Sequence, residues 1–306
     1  MKTIKVKCPA SLSNLVCGFD IFGMAVEAPF DTIELTITNT PGITISHSDD
    51  YGLSVDPEKN IAGVALRSLM NDQKIAHGFD IHINKQIKPG SGIGSSAASA
   101  AGIVVAANLL LDLSLSKKQL LNFAMDGEMI ASGSRHADNL APLIYGGLTL
   151  IRDASTFDII SIPAPELYIT ILHPQIEVKT SYAREILPTS VPLSDAVKQW
   201  ANTAAMVAGF LTNDYELISR SMTDHIVEPV RSKLIPSYDE VKQRCMLAGA
   251  LGGGISGSGP SMFMFSKDET IALTIENVMK EVYLKTGISF KTYVTTCSNK
   301  GVTEIL

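Results

Sequence analysis

The sequence predicts an α+β fold of two domains, and three observations carry that reading. Strand-period segments alternate with longer helical runs through the first half. The order of elements changes after about Pro163, and each half holds one glycine-rich loop at a junction between regular elements rather than between solvated stretches.

Lys2 to Lys7 and Thr32 to Thr38 alternate apolar and polar residues and read as strands, with a helix over about Asn60 to Asp72 behind them. "GFDIHINKQI" has Phe79, Ile81 and Ile83 on one face, the mark of a half-buried strand. Ala97 to Leu113 is rich in Ala, Leu and Val without proline and reads as a buried helix, followed by another at Ser116 to Ala131. "GSRHADNLAPLIYGGLTLI" sets polar residues before a proline and a Gly-Gly turn that opens an apolar strand. A boundary near Asp153 to Pro165 divides a domain over 1–155 from one over 156–306. The second reads as a strand (Leu167 to His173), helices near Thr180 to Ile186, Ser194 to Leu211, Tyr215 to Met222 and Tyr238 to Ala248, and paired strands near the end. "SYDE" at Ser237 to Glu240 has the S-x-x-E spacing of a capping box. The glycine run after that helix reads as a loop leading into the strand Met262 to Phe265.

The 306 residues are 45% hydrophobic and 18% charged, enough for a well-cored protein. A net charge of -6 without a basic run disfavours nucleic acid or an anionic membrane as partner, since both need clustered positive charge. Cys8, Cys17, Cys245 and Cys297 are too scattered for a disulfide framework or a zinc site and read as buried thiols in a reducing compartment. "MKTIKVKCPAS" lacks the apolar core of a signal peptide, and Ala97 to Leu111 is short of the roughly 20 residues of a membrane span. These features predict a cytoplasmic protein.

"PGSGIGSSAA", Pro89 to Ala98, lies between the strand and the buried helix. Glycines let backbone amides approach a ligand closely, and a helix start offers further free amides to an anion, so the stretch reads as an anion cradle rather than a linker. A Walker A loop is excluded because Gly94 is followed by Ser95 and Ser96 instead of lysine. A dinucleotide fold is excluded because Asp112, the nearest acidic candidate, ends a helix.

What remains is a loop whose amides bind phosphate and whose serines can ligate a metal. "PGSGIGSSAA" resembles the second motif of the GHMP kinase superfamily, P-x-x-x-G-L-G-S-S-A-A, with Ile93 replacing leucine. "GGGISGSGPSMF" resembles its third motif and "CPASLSNLVCGFDIFGMAV" its first, in the expected order. Within the superfamily, "SRHADNLAP", "EPVRSKLIP" and "NLVCGFDIFG" resemble the homoserine kinase family, although Val16 stands where that family has glycine. The resemblance implies an N-terminal ribosomal protein S5 domain 2-like domain and a C-terminal ferredoxin-like α/β domain. It also implies ATP and Mg²⁺ as cofactors, L-homoserine as substrate, and a homodimer.

Carried onto matching positions, the resemblance assigns the phosphates to Pro89, Gly90, Ser91, Gly92, Ile93, Gly94, Ser95, Ser96, Ala97, Ala98 and Ser99, with Gly257 and Gly259 as a further wall and Asn60 and Lys85 near the nucleotide. Ser96 and Glu128 serve Mg²⁺, a hard cation that takes oxygen ligands. Asn14, Asp20, His136, Asp138, Thr180, Arg184 and Arg231 bind substrate, the arginines suiting a carboxylate by their planar fork. Asp138 and Asn139 stand by the reacting hydroxyl, with no lysine nearby to complete the aspartate-lysine pair of other members. Each has a plainer reading: turn chemistry for Asn14 and Asp20, helix caps for Asn60, Ser96 and Thr180, solvated side chains for Glu128, Lys85 and the arginines, a structural histidine for His136. Two alternatives stay open: a GHMP kinase for shikimate, mevalonate or a sugar, and a noncatalytic nucleotide-binding regulator.

Overall fold

Alternation in the first forty residues builds the spine of the larger sheet. In β1 (Thr3–Ser13) Ile4, Val6, Cys8, Ala10 and Leu12 turn inward, and the strand runs antiparallel to β2 (Phe22–Thr38). The register shifts between Pro9 and Ala10, and the pairing continues to Ser13 opposite Gly23. The far edge of β2 takes β4 (Gly78–Asn84), with β3 (Ile43–His47) parallel beyond it, while its first residues take β5 (Leu148–Asp153), which pairs with β6 (Asp158–Ile162). The computed structural model describes residues 2–132 and 136–305.

The helices α1 (Ile61–Asp72), α2 (Ser95–Leu111), α3 (Lys117–Ser132) and α4 (Leu140–Tyr145) pack on this sheet and on one another. α2 is buried from Ala97 through Val104 and lies at the centre of the layer, which is why its sequence is apolar almost all round.

The second half sets β7 (Tyr168–Pro174), β8 (Gly252–Ile255), β9 (Met262–Ser266) and β10 (Phe290–Thr296) into an antiparallel sheet of order β10-β7-β9-β8. Around it run α5 (Thr180–Glu185), α6 (Leu193–Thr212), α7 (Tyr215–Ser221), α8 (Glu228–Arg231), α9 (Tyr238–Leu247) and α10 (Glu269–Leu284). The two sheets meet where Ala28 N donates to Thr295 Oγ1 at 2.8 Å and Ser298 N donates to the Ala25 carbonyl at 2.8 Å. The main apolar core continues across this seam, from Leu12 and Phe22 to Phe210, Phe263 and Phe265. A short last strand, β11 (Thr303–Glu304), returns to pair with β1.

Several expectations change. Ser237 precedes α9 in the left-handed region at φ +56°, and its side chain makes no capping bond. An N-cap needs extended backbone to aim its oxygen at the N2 or N3 amide, so the S-x-x-E spacing does not act as a capping box. The glycine run expected as a loop begins as a strand, since Gly252 to Gly254 belong to β8. The sequence reading also lacks α10, whose Thr, Ile and Val content resembles a strand while its buried residues Ala272, Ile275, Met279 and Tyr283 follow a helical period. Residue 155 lies in the turn between β5 and β6, and both strands belong to the larger sheet. Cys8, Cys17 and Cys245 are buried thiols, whereas Cys297 is partly exposed. Among the described residues no helix is long and apolar enough to cross a membrane.

Candidate active site

Three loops distant in sequence close around a cleft of about 390 Å³. The first is the turn between β1 and β2, where Asn14, Leu15 and Val16 hold φ of +70°, +42° and +67° and Asp20 holds +61°. Such conformations are uncommon for residues with a Cβ and persist only where the surroundings over-determine them. Here Asn14 fastens both ends: its Nδ2 donates to the Gly257 carbonyl at 2.9 Å and its Oδ1 accepts from Asp20 N at 3.0 Å. Val16 therefore occupies a position whose backbone suits glycine. Its buried side chain fits because β8 carries Gly254 opposite, where an added Cβ would lie 3.1 Å from Val16 Cγ2.

The second loop is "PGSGIGSSAA". Gly90, Gly92 and Gly94 take φ of +73°, +79° and +72°, which glycine alone adopts freely. The loop is anchored from behind by Asp31, fully buried, which accepts from Gln86 N, Ile87 N and, at 2.6 Å, from Lys85 Nζ. The same ammonium donates to the Ser95 carbonyl and to Ser99 Oγ, each at 3.0 Å. Lys85 is thus a buried strut on the cleft wall rather than a solvated strand end. Ser95 Oγ donates to the Ile87 carbonyl, and Ile93, Ala97 and Ala98 are buried in the core, so these four shape the loop from behind.

α2 starts after Gly94 without a side-chain cap, leaving its first amides to the cleft. Ser96 does not cap. Its Oγ donates to Glu128 Oε1 at 2.8 Å, bringing the two expected cation ligands together on one wall. Burial pushes the Glu128 carboxyl up to about 7, with the Ser96 hydrogen bond opposing. Asn60, by contrast, is used as the cap of α1, accepting from Ala62 N and Gly63 N and donating to the Ser54 carbonyl at 2.6 Å. At that end it is Ile61 and Leu53 that line the cleft.

The third loop, after β8, is latched to the second. Ser256 Oγ donates to the Gly92 carbonyl at 2.7 Å and Ser261 Oγ to the Ser91 carbonyl at 2.6 Å. Gly257 and Ser258 face the cleft, while Gly259 stands behind Gly92, where an added Cβ on Gly92 would come within 2.6 Å of the Gly259 carbonyl oxygen.

The other end of the cleft is charged. Arg184 Nη2 donates to both oxygens of Asp20 at 2.9 and 3.0 Å. Arg231, almost fully buried, donates from Nε to the Ala183 carbonyl and from Nη1 to the Gly257 carbonyl. Both guanidinium groups lie over the Phe19 ring, at 5.3 and 5.0 Å from its centroid. Thr180 reaches Ser258 Oγ at 3.3 Å and caps nothing, since Lys179 holds the N-cap position of α5. His136, half-buried, has its pKa lowered, by burial before all. Asp138 is buried, and burial first and Asp20 second push its carboxyl up to about 6. Asn139 is engaged on both sides: its Oδ1 accepts from Ser11 Oγ at 2.9 Å and its Nδ2 donates to Ser13 Oγ at 3.0 Å. Ser134 and Arg135, at the front of the segment that carries these residues, lie outside the described residues.

Sequence reasoning misses Asp31, Phe19, Ser11, Ser13, Ser256 and Ser261. Asp31 offers no local signal, because its partner Lys85 is 54 residues away. Ser11 and Ser13 alternate in "PASLS", a spacing that would have marked one polar face, whereas Ser256 and Ser261 stand five residues apart across a loop and give no such signal.

The chain is similar to known proteins over nearly its whole length. Residues 60–147 match the model of the GHMP kinases N-terminal domain and residues 206–285 that of the GHMP kinases C-terminal domain. A homoserine kinase of Chloroherpeton thalassium is 44% identical over 298 residues, 93% of each chain. One of Methanococcus maripaludis is 42% identical over 288 residues, 92% of this chain and 94% of the relative. The crystal structure of homoserine kinase from Cytophaga hutchinsonii superposes with a TM-score of 0.96 at 45% identity, covering 100% of this chain and 98% of that one. Mevalonate kinase from L. major, 16% identical with a TM-score of 0.74, shares the fold. With both family models matched and such relatives aligned nearly end to end, the chain belongs to the homoserine kinase family of the GHMP kinases.

Proposed function

We propose that the protein transfers the γ-phosphoryl group of ATP to the side-chain hydroxyl of L-homoserine, forming O-phospho-L-homoserine for threonine biosynthesis. The observation that carries this reading is the polarity of the cleft: an uncapped helix start and glycine loop at one end, two arginines and an aspartate at the other. An amino-acid zwitterion matches that second end better than shikimate, mevalonate or a sugar, which bring no ammonium group. We place the work in the cytoplasm.

The loop amides and the start of α2, worth about half a positive charge, hold the phosphates. Leu53 and Ile61 offer apolar surface to the base. Ser96 and Glu128 present adjacent oxygens on the cleft wall, a donor set that fits Mg²⁺, which is usually bound by one or two carboxylates together with substrate phosphates. When bound, that cation neutralises charge on the transferring group. Homoserine meets the Asp20–Arg184 pair with both its charges: its ammonium takes Asp20, and its carboxylate takes Arg184 and Arg231. The hydroxyl oxygen forms the new bond to the γ-phosphorus while the bond to the β,γ-bridging oxygen breaks and ADP leaves. Asp138, on the wall beside it, accepts the hydroxyl proton. Asn139, held by Ser11 and Ser13, lines the cleft beside Asp138 and orients the hydroxyl. The two units divide as 1–155, binding ATP, and 156–306, supplying the arginines, with β6 and β11 crossing back. A homodimer is the assembly expected.

Release of ADP from Mg-ATP, measured in parallel with homoserine, shikimate, mevalonate and galactose, tests the reading. Homoserine alone should stimulate release, and absence of that stimulation sinks it, with retained ATP binding pointing to a noncatalytic regulator. For the base, Asp138→Asn should lower turnover by about 10² to 10⁴. A base must be ionised, so wild-type turnover should fall as pH drops through about 6, and the variant should lose that acidic limb. A variant that raises only the homoserine KM makes Asp138 a binding group.

A further inference from the structure

Helix α6 has two apolar faces, and only one is covered. The inner face buries Ala196, Gln199, Met206 and Phe210, and it is pinned by Gln199 Nε2 and Thr203 Oγ1, each donating to the Cys17 carbonyl at 2.9 Å. The outer face exposes Leu193, Val197, Trp200, Ala204, Ala208 and Leu211, a row at steps of three and four residues. Trp200, the one tryptophan of the chain, is 62% exposed, and Leu193 and Leu211 are 71% and 59% exposed. No charged residue occurs from Gln199 to Thr212. A helix face turned to water normally carries charge, and isolated apolar residues such as Leu247 and Leu284 at the ends of their helices need no explanation.

We propose that this outer face of α6 is where two copies of the chain pack, helix against antiparallel helix about a two-fold axis near Asn202. The inference rests on the homodimer expected above and assigns its surface. Large and small residues are placed so that the row complements itself. Under a two-fold axis at that point Trp200 meets Ala204 of the second copy, Leu193 meets Leu211, and Val197 falls beside Ala208. Bulky side chains at the ends and alanines near the middle let the helices approach closely, with Trp200 filling the space that Ala204 leaves. A partner of different sequence would bring its own pattern of charge, and this face has none to answer it. The row leaves roughly 500 Å² of apolar surface in water, given the 150–250 Å² of a single large aromatic side chain. That is the greater part of the ~800 Å² each partner gives to a standard interface.

Light scattering on the purified full chain tests the surface, with Val197→Glu and Trp200→Glu as variants whose side chains touch no part of the cleft. The wild type should show twice the mass of one chain, and its tryptophan emission should move to longer wavelength on dilution. Both variants should show the mass of one chain with an unchanged far-ultraviolet circular dichroism spectrum. Under oxidation Ala201→Cys, close to the axis, should form a reducible cross-linked dimer that the wild type does not. A wild type with the mass of one chain at every concentration overturns both the homodimer and its surface. A wild-type dimer that survives either glutamate change, or that Ala201→Cys fails to cross-link, leaves the homodimer standing and overturns the assignment to α6. If the glutamate variants misfold, the cross-link alone decides.

Discussion

The glycine loop before α2 and the glycine run of strand β8 have similar compositions and different physical reasons for them. In the first, Gly90, Gly92 and Gly94 are needed for left-handed backbone, and at Gly90 there is nothing within 4 Å of where a Cβ would stand. In β8 the glycines are needed for room: a Cβ on Gly253 would lie 2.0 Å from the Phe263 carbonyl oxygen, and one on Gly254 would lie 2.5 Å from Glu228 Oε2, whereas Gly257 and Gly259 of the loop that follows return to left-handed backbone at φ +59° and +83°. The loop turns its amides toward a ligand, and β8 brings a sheet edge close to it, so that Ser256 and Ser261 just beyond can hold it. Glycine content alone therefore does not identify a phosphate site. The conformation each glycine adopts, and what stands beside it, separates a cradle from a buttress.

That contrast can be broken in four places. Ser96→Ala should reduce turnover with Mg-ATP by about 10²-fold or more, as expected for losing a ligand of a catalytic cation. Its denaturant midpoint should move by less than about 1 kcal/mol of stability, because one partly exposed hydrogen bond is lost. Equal damage to both would return Ser96 to a structural role. Gly253→Ala should do the reverse and destabilise the fold by about 2–4 kcal/mol, since backbone and not a flexible side chain blocks the added carbon. Urea unfolding measures this, and a normal midpoint would show that β8 can shift.

The latch between the loops comes next. Removing Ser256 Oγ and Ser261 Oγ together should cost about 1 kcal/mol for each bond and raise the KM for ATP several-fold, with the KM for homoserine unchanged. A matching rise in both constants would mean that the loops move as one. Gly90→Ala should have the smallest effect, about 1 kcal/mol from the left-handed backbone alone, visible as a small drop in melting temperature. A neutral result would show that the loop relaxes to another conformation.

Much of this was legible from local pattern. Period-two alternation marks β1 and β4, an all-apolar run marks the central helix α2, and motif spacing brings Asn14, Ser96, Asp138 and Arg231 into one reading before any coordinate is known. Such features survive in sequence because period and motif are short-range properties of a chain. The tertiary structure alone decided the rest. It gave Asp31 a lysine 54 residues away and joined Arg184 to Asp20 across 164 residues. It also removed the capping role of Ser237 by placing it in the left-handed region, although its sequence spacing was correct. Hydrogen-bond partners and positive φ depend on what distant segments bring alongside, and no window of neighbouring residues contains that information.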